Sequence, residues 1–470
     1  MSAAVEQRAA PKDTLGRSDS WSNQRRRRWT LVAASLGFAV IQLDVSVVNV
    51  AFTPIGVALG GGVAGSQWIV AAYTVAFAAL ILTAGALGDR CGGKRMFIAG
   101  FGIFTVASAM CGLAFNLELL IAGRVLQGVG AAILGACSLV LLNHTYPEPG
   151  ERARAVGLWA AGASGALSGG PLVGGVLIAT LGWRSIFFIN APIGLVGIWL
   201  TARFAAETPR SRERGVDLWG QISVVVALMA LAGAVIEGGS RGFTDPAVLA
   251  GLAVAAIAGA AFVLMEAKQP QPMLPLRLFR VSTFSSTAAI GLLVNVAFYG
   301  LIFVFSLFFQ QTQHLSALAT GLAFAPMTAA ILVGNFAAAR LARIAGARWV
   351  IGIGALLMAA GGAGLLGVAA STPYWTILAQ LVALGLGLGL LVPAMTSALL
   401  GSVDKSFSGV ASGTLNTTRQ IGSVIGVALF GSLTAGAGLI SGLHLSLAIS
   451  IGLVLAVAAL TPRIGKNAPA

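Results

Sequence analysis

An aspartate, two arginines and a glutamine carry the chemistry open to this chain. Asp44, Arg124, Gln127 and Arg419 lie deep inside long apolar runs. A charged side chain so placed is costly and must face a protein interior or a water-filled cavity. Asp44 is the one acid in the middle of any run. Asp217, Glu237, Glu266 and Asp404 stand near run ends, where water reaches. A buried carboxylate can serve as a proton site, because desolvation favours its neutral form while water or a nearby cation favours the charged one. Alternation between two such environments is what coupling to a proton gradient requires. The plainer role is a packing acid bonded to a serine or an amide. Arg124, with Gln127 one turn on, reads either as a hydrogen-bonding hub or as the partner of Asp44, met directly or through Gln127 or water. Arg419, within Asn416-Thr417-Thr418-Arg419-Gln420, is either a cavity charge or a paired packing residue. Catalysis finds no support. His144, His314 and His444 are far apart, and no metal-ligand spacing, nucleophile–base cluster or phosphate-cradling glycine loop is present. No metal and no cofactor is expected, so any work must draw on an ion gradient.

The elements that hold these residues follow from composition. The chain has 470 residues, 57% hydrophobic and 9% charged, with mean hydropathy +0.90. Those values exclude an ordinary soluble fold. A span needs roughly 20 apolar residues. Fourteen runs qualify: 29–52, 68–88, 96–114, 119–142, 156–181, 186–204, 219–236, 247–265, 287–309, 317–339, 349–370, 375–400, 408–433 and 439–460. Helices are the expected form, since lipid leaves backbone groups no other partner and a barrel would alternate in polarity. With both termini on the cytoplasmic side, 25 of the 29 lysines and arginines fall in inner segments. Only Arg184 and Arg241 fall outside, and Arg124 and Arg419 lie within spans. The basic surplus therefore suits anionic inner-leaflet lipid and points to no nucleic acid. Residues 1–28 are a polar tail ending in Arg25–Arg28. The next run is full length without a small-residue cleavage site, so it reads as a first helix and not as a signal peptide. Cys91, Cys111 and Cys137 give no disulfide framework.

Internal repetition suggests two halves. Gly157, Gly170 and Gly174 of the fifth run recur as Gly409, Gly422 and Gly426 of the thirteenth, at a constant offset of 252. The expected plan is a six-helix bundle over 29–204, a linker with two inserted helices over 205–286, a second six-helix bundle over 287–460, and a cytoplasmic tail at 461–470. Parallel repeats around a central path are a transporter architecture. The fifth run also carries Gly162, Gly165, Gly169, Pro171 and Gly175, which suits a helix that packs closely and bends.

Several motifs together carry a family resemblance. Gly85-Ala86-Leu87-Gly88-Asp89-Arg90-Cys91-Gly92-Gly93-Lys94-Arg95 resembles the loop motif of the major facilitator superfamily. Arg124-Val125-Leu126-Gln127-Gly128-Val129-Gly130 is similar to its fourth-helix motif, common in proton-coupled members. Gly162 with Gly170-Pro171-Leu172-Val173-Gly174-Gly175 resembles the fifth-helix antiporter motif. Leu43-Asp44-Val45-Ser46-Val47-Val48-Asn49-Val50-Ala51, and Gly182-Trp183-Arg184-Ser185-Ile186-Phe187-Phe188-Ile189-Asn190, are similar to segments of the fourteen-helix drug–proton antiporters. The pattern departs at Gly93 (usually basic), Ala166 (usually glycine), Ser46 (usually threonine) and a proline displaced to Pro54.

The resemblance implies an all-α polytopic membrane protein of the major facilitator fold and an alternating-access, proton-coupled multidrug efflux antiporter. Asp44, Arg124 and Gln127 would be its proton-coupling residues. Gly85, Asp89, Arg90, Gly92, Lys94 and Arg95 would form a cytoplasmic gate, although the basic members alone could be orientation signals. Asn49, Phe298, Tyr299 and Arg419 are candidates for a substrate cavity. Phe298, Tyr299, Phe303, Phe305, Phe308 and Phe309 surround the ninth helix, so several are expected to face lipid. The expected partners are protons, membrane lipid and lipophilic small molecules (monocationic, zwitterionic or neutral), handled by a monomer in a bacterial inner membrane. Rival readings are a transporter of one metabolite or natural product, and a membrane-embedded lipid enzyme, which would need clustered acids or histidines at one interface.

Overall fold

The computed structural model describes residues 15–210, 217–269, 274, 276–404 and 408–465. Arg8, Lys12, Arg212, Arg214, Lys405 and Lys466 of the charge pattern, and parts of both tails, lie outside the described residues. Fourteen helices among the described residues are long and apolar enough to cross a membrane. The chain runs through α1 (Leu15–Val47), the short α2 (Phe52–Leu59), α3 (Gly62–Cys91), α4 (Gly93–Gly112), α5 (Leu117–Thr145) and α6 (Pro149–Leu181). The sixth crossing is split into α7 (Ser185–Phe188) and α8 (Asn190–Phe204). Then follow α9 (Leu218–Arg241), α10 (Pro246–Lys268), α11 (Ser282–Leu307), α12 (Ala317–Ala345), α13 (Ala347–Gly364), α14 (Tyr374–Gly401), α15 (Ser408–Ala437) and α16 (Leu439–Leu460).

Two local interruptions shape the interior. After α1 the chain tightens into a 3₁₀ turn, Val48–Val50, and restarts at Phe52. The displaced Pro54 sits in the first turn of α2, where its missing N–H costs nothing. In the sixth crossing Pro192 cannot donate to the carbonyl four residues back, and the helix breaks at Ile189. Asn190 then opens α8 fully buried.

The glycine repeat corresponds to a repeated contact. A Cβ on Gly170 of α6 would stand 2.7 Å from Ser46 Cβ, and one on Gly174 would stand 2.8 Å from Val50 Cγ2. On α15, Gly422 would meet Asn295 Cβ at 3.1 Å and Gly426 would meet Val296 Cα at 2.9 Å. The fifth crossing thus lies on the first as the thirteenth lies on the ninth. Gly157 does not share this role, since a Cβ there would meet nothing within 4 Å.

Facing helices meet along two seams, α6 with α12 and α3 with α15. At the ends assigned as outer the contacts are tight. A Cβ on Gly175 would lie 2.8 Å from Leu318 Cα, and Gln67 Nε2 donates to Ala428 O at 2.6 Å. Ser306 donates to Asn49 O, and the Phe52 and Phe303 rings stand 5.0 Å apart. Toward the inner end of α6, Cβ atoms on Gly165 and Gly169 would meet nothing within 4 Å. The α6–α12 seam is thus closely packed at its outer end.

The inserted helices differ from each other. α9 is wedged against both α3 and α15: Gln221 Nε2 donates to Ala79 O at 2.9 Å, Thr83 donates to Gln221, and Ser432 Oγ donates to Val235 O at 2.5 Å. α10 packs chiefly on α9 and buries only Val248 and Glu266. One expectation fails. The aromatics of the ninth crossing do not face lipid, for Phe303, Phe305, Phe308 and Phe309 are all fully buried and Phe298 nearly so. Neighbours cover them: α14, α15 and α16 pack on α11, and Phe309 meets both Phe324 and Tyr374 edge-on.

Candidate proton site and central cavity

Four crossings deliver polar side chains to one dry point. Asp44 comes from α1, Ser108 from α4, Arg124 and Gln127 from α5, and Asn190 from the broken sixth crossing. None is more than 2% exposed. Arg124 Nη1 donates to Asp44 Oδ2 at 2.5 Å and to Gln127 Oε1 at 2.8 Å. Gln127 Nε2 donates to Asp44 Oδ1 at 2.7 Å and to Ser108 Oγ at 2.7 Å. Asn190 Nδ2 donates to the same Oδ1 at 3.0 Å and to Ser108 Oγ at 3.1 Å. Arg124 Nε donates to Ile69 O at 3.0 Å, and its guanidinium lies 4.3 Å from the Tyr73 ring centroid.

Asp44 thus accepts three donors, one of them a full charge. In a dry site such a pair persists only when the remaining polar atoms are also satisfied. Nearly all are here; Asn190 Oδ1 and the Tyr73 hydroxyl are the buried exceptions. Close helix approach makes the geometry possible. A Cβ on Gly128 would stand 2.8 Å from Ala76 Cβ, and one on Gly130 would stand 2.7 Å from Phe104 N. Glycine at both places lets α5 sink between α3 and α4 far enough for Arg124 to reach α1.

Sequence reasoning joined Asp44, Arg124 and Gln127 but omitted Ser108, Asn190 and Tyr73 from the site. Asn190 stood at the end of a quoted motif, and a polar residue two before a proline was the available signal. Ser108 is an ordinary residue within an apolar run and offered none.

A partly open pocket lies between the halves. Asn49, Phe298 and Tyr299 line it, as do Ser46, Ser168, Pro171 and Thr328, with an otherwise apolar wall that includes Phe324, Met327 and Ile331. No acid lines it. Arg419 is not in its wall. Asp44 is held away from the cavity, although Ser46 and Asn49 on the same stretch of chain reach it.

The loop after α3 is pinned to the last turn of α8 and the chain that follows it. Gly93 N donates to Thr208 Oγ1 at 2.5 Å, Lys94 Nζ donates to Ala202 O at 3.0 Å, and Arg95 pairs with Glu207 at 3.7 Å. Gly92 turns with φ +99°, open to glycine alone at little cost. Gly93 departs from the basic residue usual in the motif for a steric reason: a Cβ there would lie 2.9 Å from Val140. Gly85 only approaches Ala136, Asp89 is half-buried in the last turn of α3, and Arg90 is exposed. Of the antiporter-motif residues, Gly170 and Gly174 admit α1, while Gly175 and Pro171 touch α12 through Leu318 and Gly321. Gly162 merely faces Ser35 at 3.9 Å.

This fold and these motifs have known counterparts. The Major Facilitator Superfamily description matches residues 34–427. The chain belongs to that superfamily. It is 38% identical over 405 residues to the methylenomycin A resistance protein of Streptomyces coelicolor, covering 85% of this chain and 84% of the relative. It is 36% identical over 414 residues to the multidrug resistance protein Stp of Mycobacterium tuberculosis, covering 87% and 76%. In fold it resembles a bacterial homologue of the human lysosomal transporter Spinster, solved inward-facing and unoccupied, with TM-score 0.64, 20% identity, and coverage of 93% and 98%. As a member of this superfamily the chain is a multi-pass membrane transporter and not an enzyme.

Proposed function

We propose that this transporter exports lipophilic, drug-like compounds across a bacterial cytoplasmic membrane in exchange for protons. The observation that carries the reading is the Asp44–Arg124 pair, sealed among α1, α4, α5 and α8 yet only two residues from Ser46 at the cavity wall. Protonation of Asp44 neutralises its half of the pair and leaves Arg124 held by Gln127, Ile69 O and the Tyr73 ring. The loosened α1 can then move against α5 and α6, carrying Ser46 and Asn49 with it. Proton entry from outside would thereby favour one arrangement of the halves, 29–204 and 287–460, and proton loss inside the other. The loop Gly85–Arg95 acts as the inner gate, holding α3 and α4 to the end of the sixth crossing. The names of the relatives support efflux as the direction, and a dedicated exporter of one compound is the second reading, which the methylenomycin resistance relative favours.

The test is everted vesicles loaded with a pH indicator and challenged with a panel of dyes and antibiotics. Substrate-dependent proton release from the vesicle lumen is expected with the wild type and absent with Asp44→Asn. Near-normal, gradient-dependent transport by Asp44→Asn would remove Asp44 as the proton site.

A further inference from the structure

The pocket between the halves has a one-sided hydrogen-bonding character. Asn49 Nδ2 donates to Val45 O at 3.3 Å, one turn back along its own chain, so the amide turns Oδ1 the other way. That oxygen receives no hydrogen bond among the described residues. Thr328 Oγ1 commits its proton to Ala325 O at 3.0 Å, which leaves only its lone pairs for a further partner. Local bonds of this kind are ordinary in helices, but both residues also line the pocket. Ser168, in the same wall, is 7% exposed, and its Oγ has no partner at all. Ser46 adds nothing further, since its hydroxyl donates to Gln42 O and Leu43 O at 3.0 Å and Gly170 lies against it. The one side-chain N–H group among the described lining residues is therefore Asn49's, and it is taken. The hydroxyls of Ser168 and Tyr299 turn either way. The wall thus holds two fixed acceptors, no fixed donor, and an apolar remainder.

An apolar compound that fills the pocket strips water from these oxygens and gives nothing back, and a polar group left unpaired on burial costs more than a made bond gains. A compound whose only polar atom is an acceptor sets oxygen against oxygen. One that carries an N–H or O–H group restores the lost bond. Resting on the export reading above, we propose that the pocket selects lipophilic compounds presenting neutral N–H or O–H donors, with Asn49 and Thr328 setting the preference. Asn49 belongs to the first half of the chain and Thr328 to the second, so a compound with two donors can bond to both halves at once.

The probes are carbazole, dibenzofuran and fluorene, three neutral tricycles of one shape that differ in a single bridging group. Carbazole carries an N–H donor, dibenzofuran an ether acceptor, and fluorene neither. Equilibrium binding to the full chain in detergent micelles is measured, with binding to protein-free micelles subtracted. Carbazole is expected to bind about five-fold more tightly than fluorene, the worth of one hydrogen bond, and dibenzofuran no more tightly than fluorene. In the double variant Asn49→Leu with Thr328→Val, the carbazole-to-fluorene ratio should fall to about two or less. If that variant does not fold, the two single changes are read separately, and at least one should lower the ratio. Equal binding of all three by the wild type, or tightest binding of dibenzofuran, would overturn the proposal. So would a ratio above about two in the double variant, or one unchanged in both single variants. Proton-driven dye movement in everted vesicles, with the three compounds as competitors, separates the two readings. Dye movement that all three inhibit equally sinks this inference and spares efflux. A carbazole preference in binding, with no proton-driven movement of any dye, does the reverse.

Discussion

Asp44 and Arg124 each depend on the other, and that dependence complicates the simplest mutation. Asp44→Asn preserves shape and removes the exchangeable proton, so gradient-driven transport should fall to the level of empty vesicles. It also leaves Arg124 as an uncompensated buried charge, and breaking such a pair costs about 3–5 kcal/mol. A lower unfolding temperature in detergent is therefore expected alongside the lost transport. The double change Asp44→Asn with Arg124→Gln should regain stability without regaining transport, which separates the two effects. The sequence exposed these residues because charge in an apolar run is conspicuous. It concealed Asn190 and Ser108, since small polar residues are cheap in a helix and matter only through what they face. Substrate charge belongs to this scale as well. With no acid among the described residues of the cavity wall, a dication would enter without a counter-ion in low dielectric. Paired flux assays with mono- and biscationic analogues should show the dications exported less; equal or better export would mean that an acid such as Glu237 or Glu266 reaches the path.

Among the helices, glycines of the same type do different work on opposite faces of α6. Gly170→Val would drive a side chain into Ser46, and overpacking of this kind costs about 1–3 kcal/mol. Gly165→Ala meets open space and should stay within about 0.5 kcal/mol of the wild type. Thermal unfolding of the two variants side by side checks the contrast. Position along the chain marked both as glycines of one helix, and only packing against α1 tells them apart. The aromatics of α11 teach the same lesson in reverse. Their spacing spreads them around the helix, but whether a neighbour or lipid covers each side is decided by α14, α15 and α16, distant in sequence. The loop after α3 allows a test of gating. Asp89→Asn should shift the balance of inward- and outward-facing states while substrate still binds, read as changed distances between spin labels on cytoplasmic helix ends. Unchanged distances and transport would leave the basic residues of that loop as orientation signals only.

For the whole molecule, hydropathy alone gave the number of crossings, because lipid imposes length and polarity on every span. It could not distinguish the two inserted helices, which are alike in composition. α9 is bonded to helices on both sides of the α3–α15 seam, whereas α10 leans on α9 with most of its surface bare. Any rocking of the halves must therefore stretch or carry α9, and α10 travels with it.

The distribution of thiols has a practical outcome. Cys91 is exposed at the end of α3, in the loop proposed as the inner gate, while Cys111 and Cys137 are buried. The unmodified protein thus offers one chemically addressable handle at the point where its inner gate should open and close. Maleimide added to everted membranes is expected to attach a single label per chain, at Cys91, as intact-mass measurement would report. A dye placed there would follow the transporter through its cycle without a cysteine being added or removed.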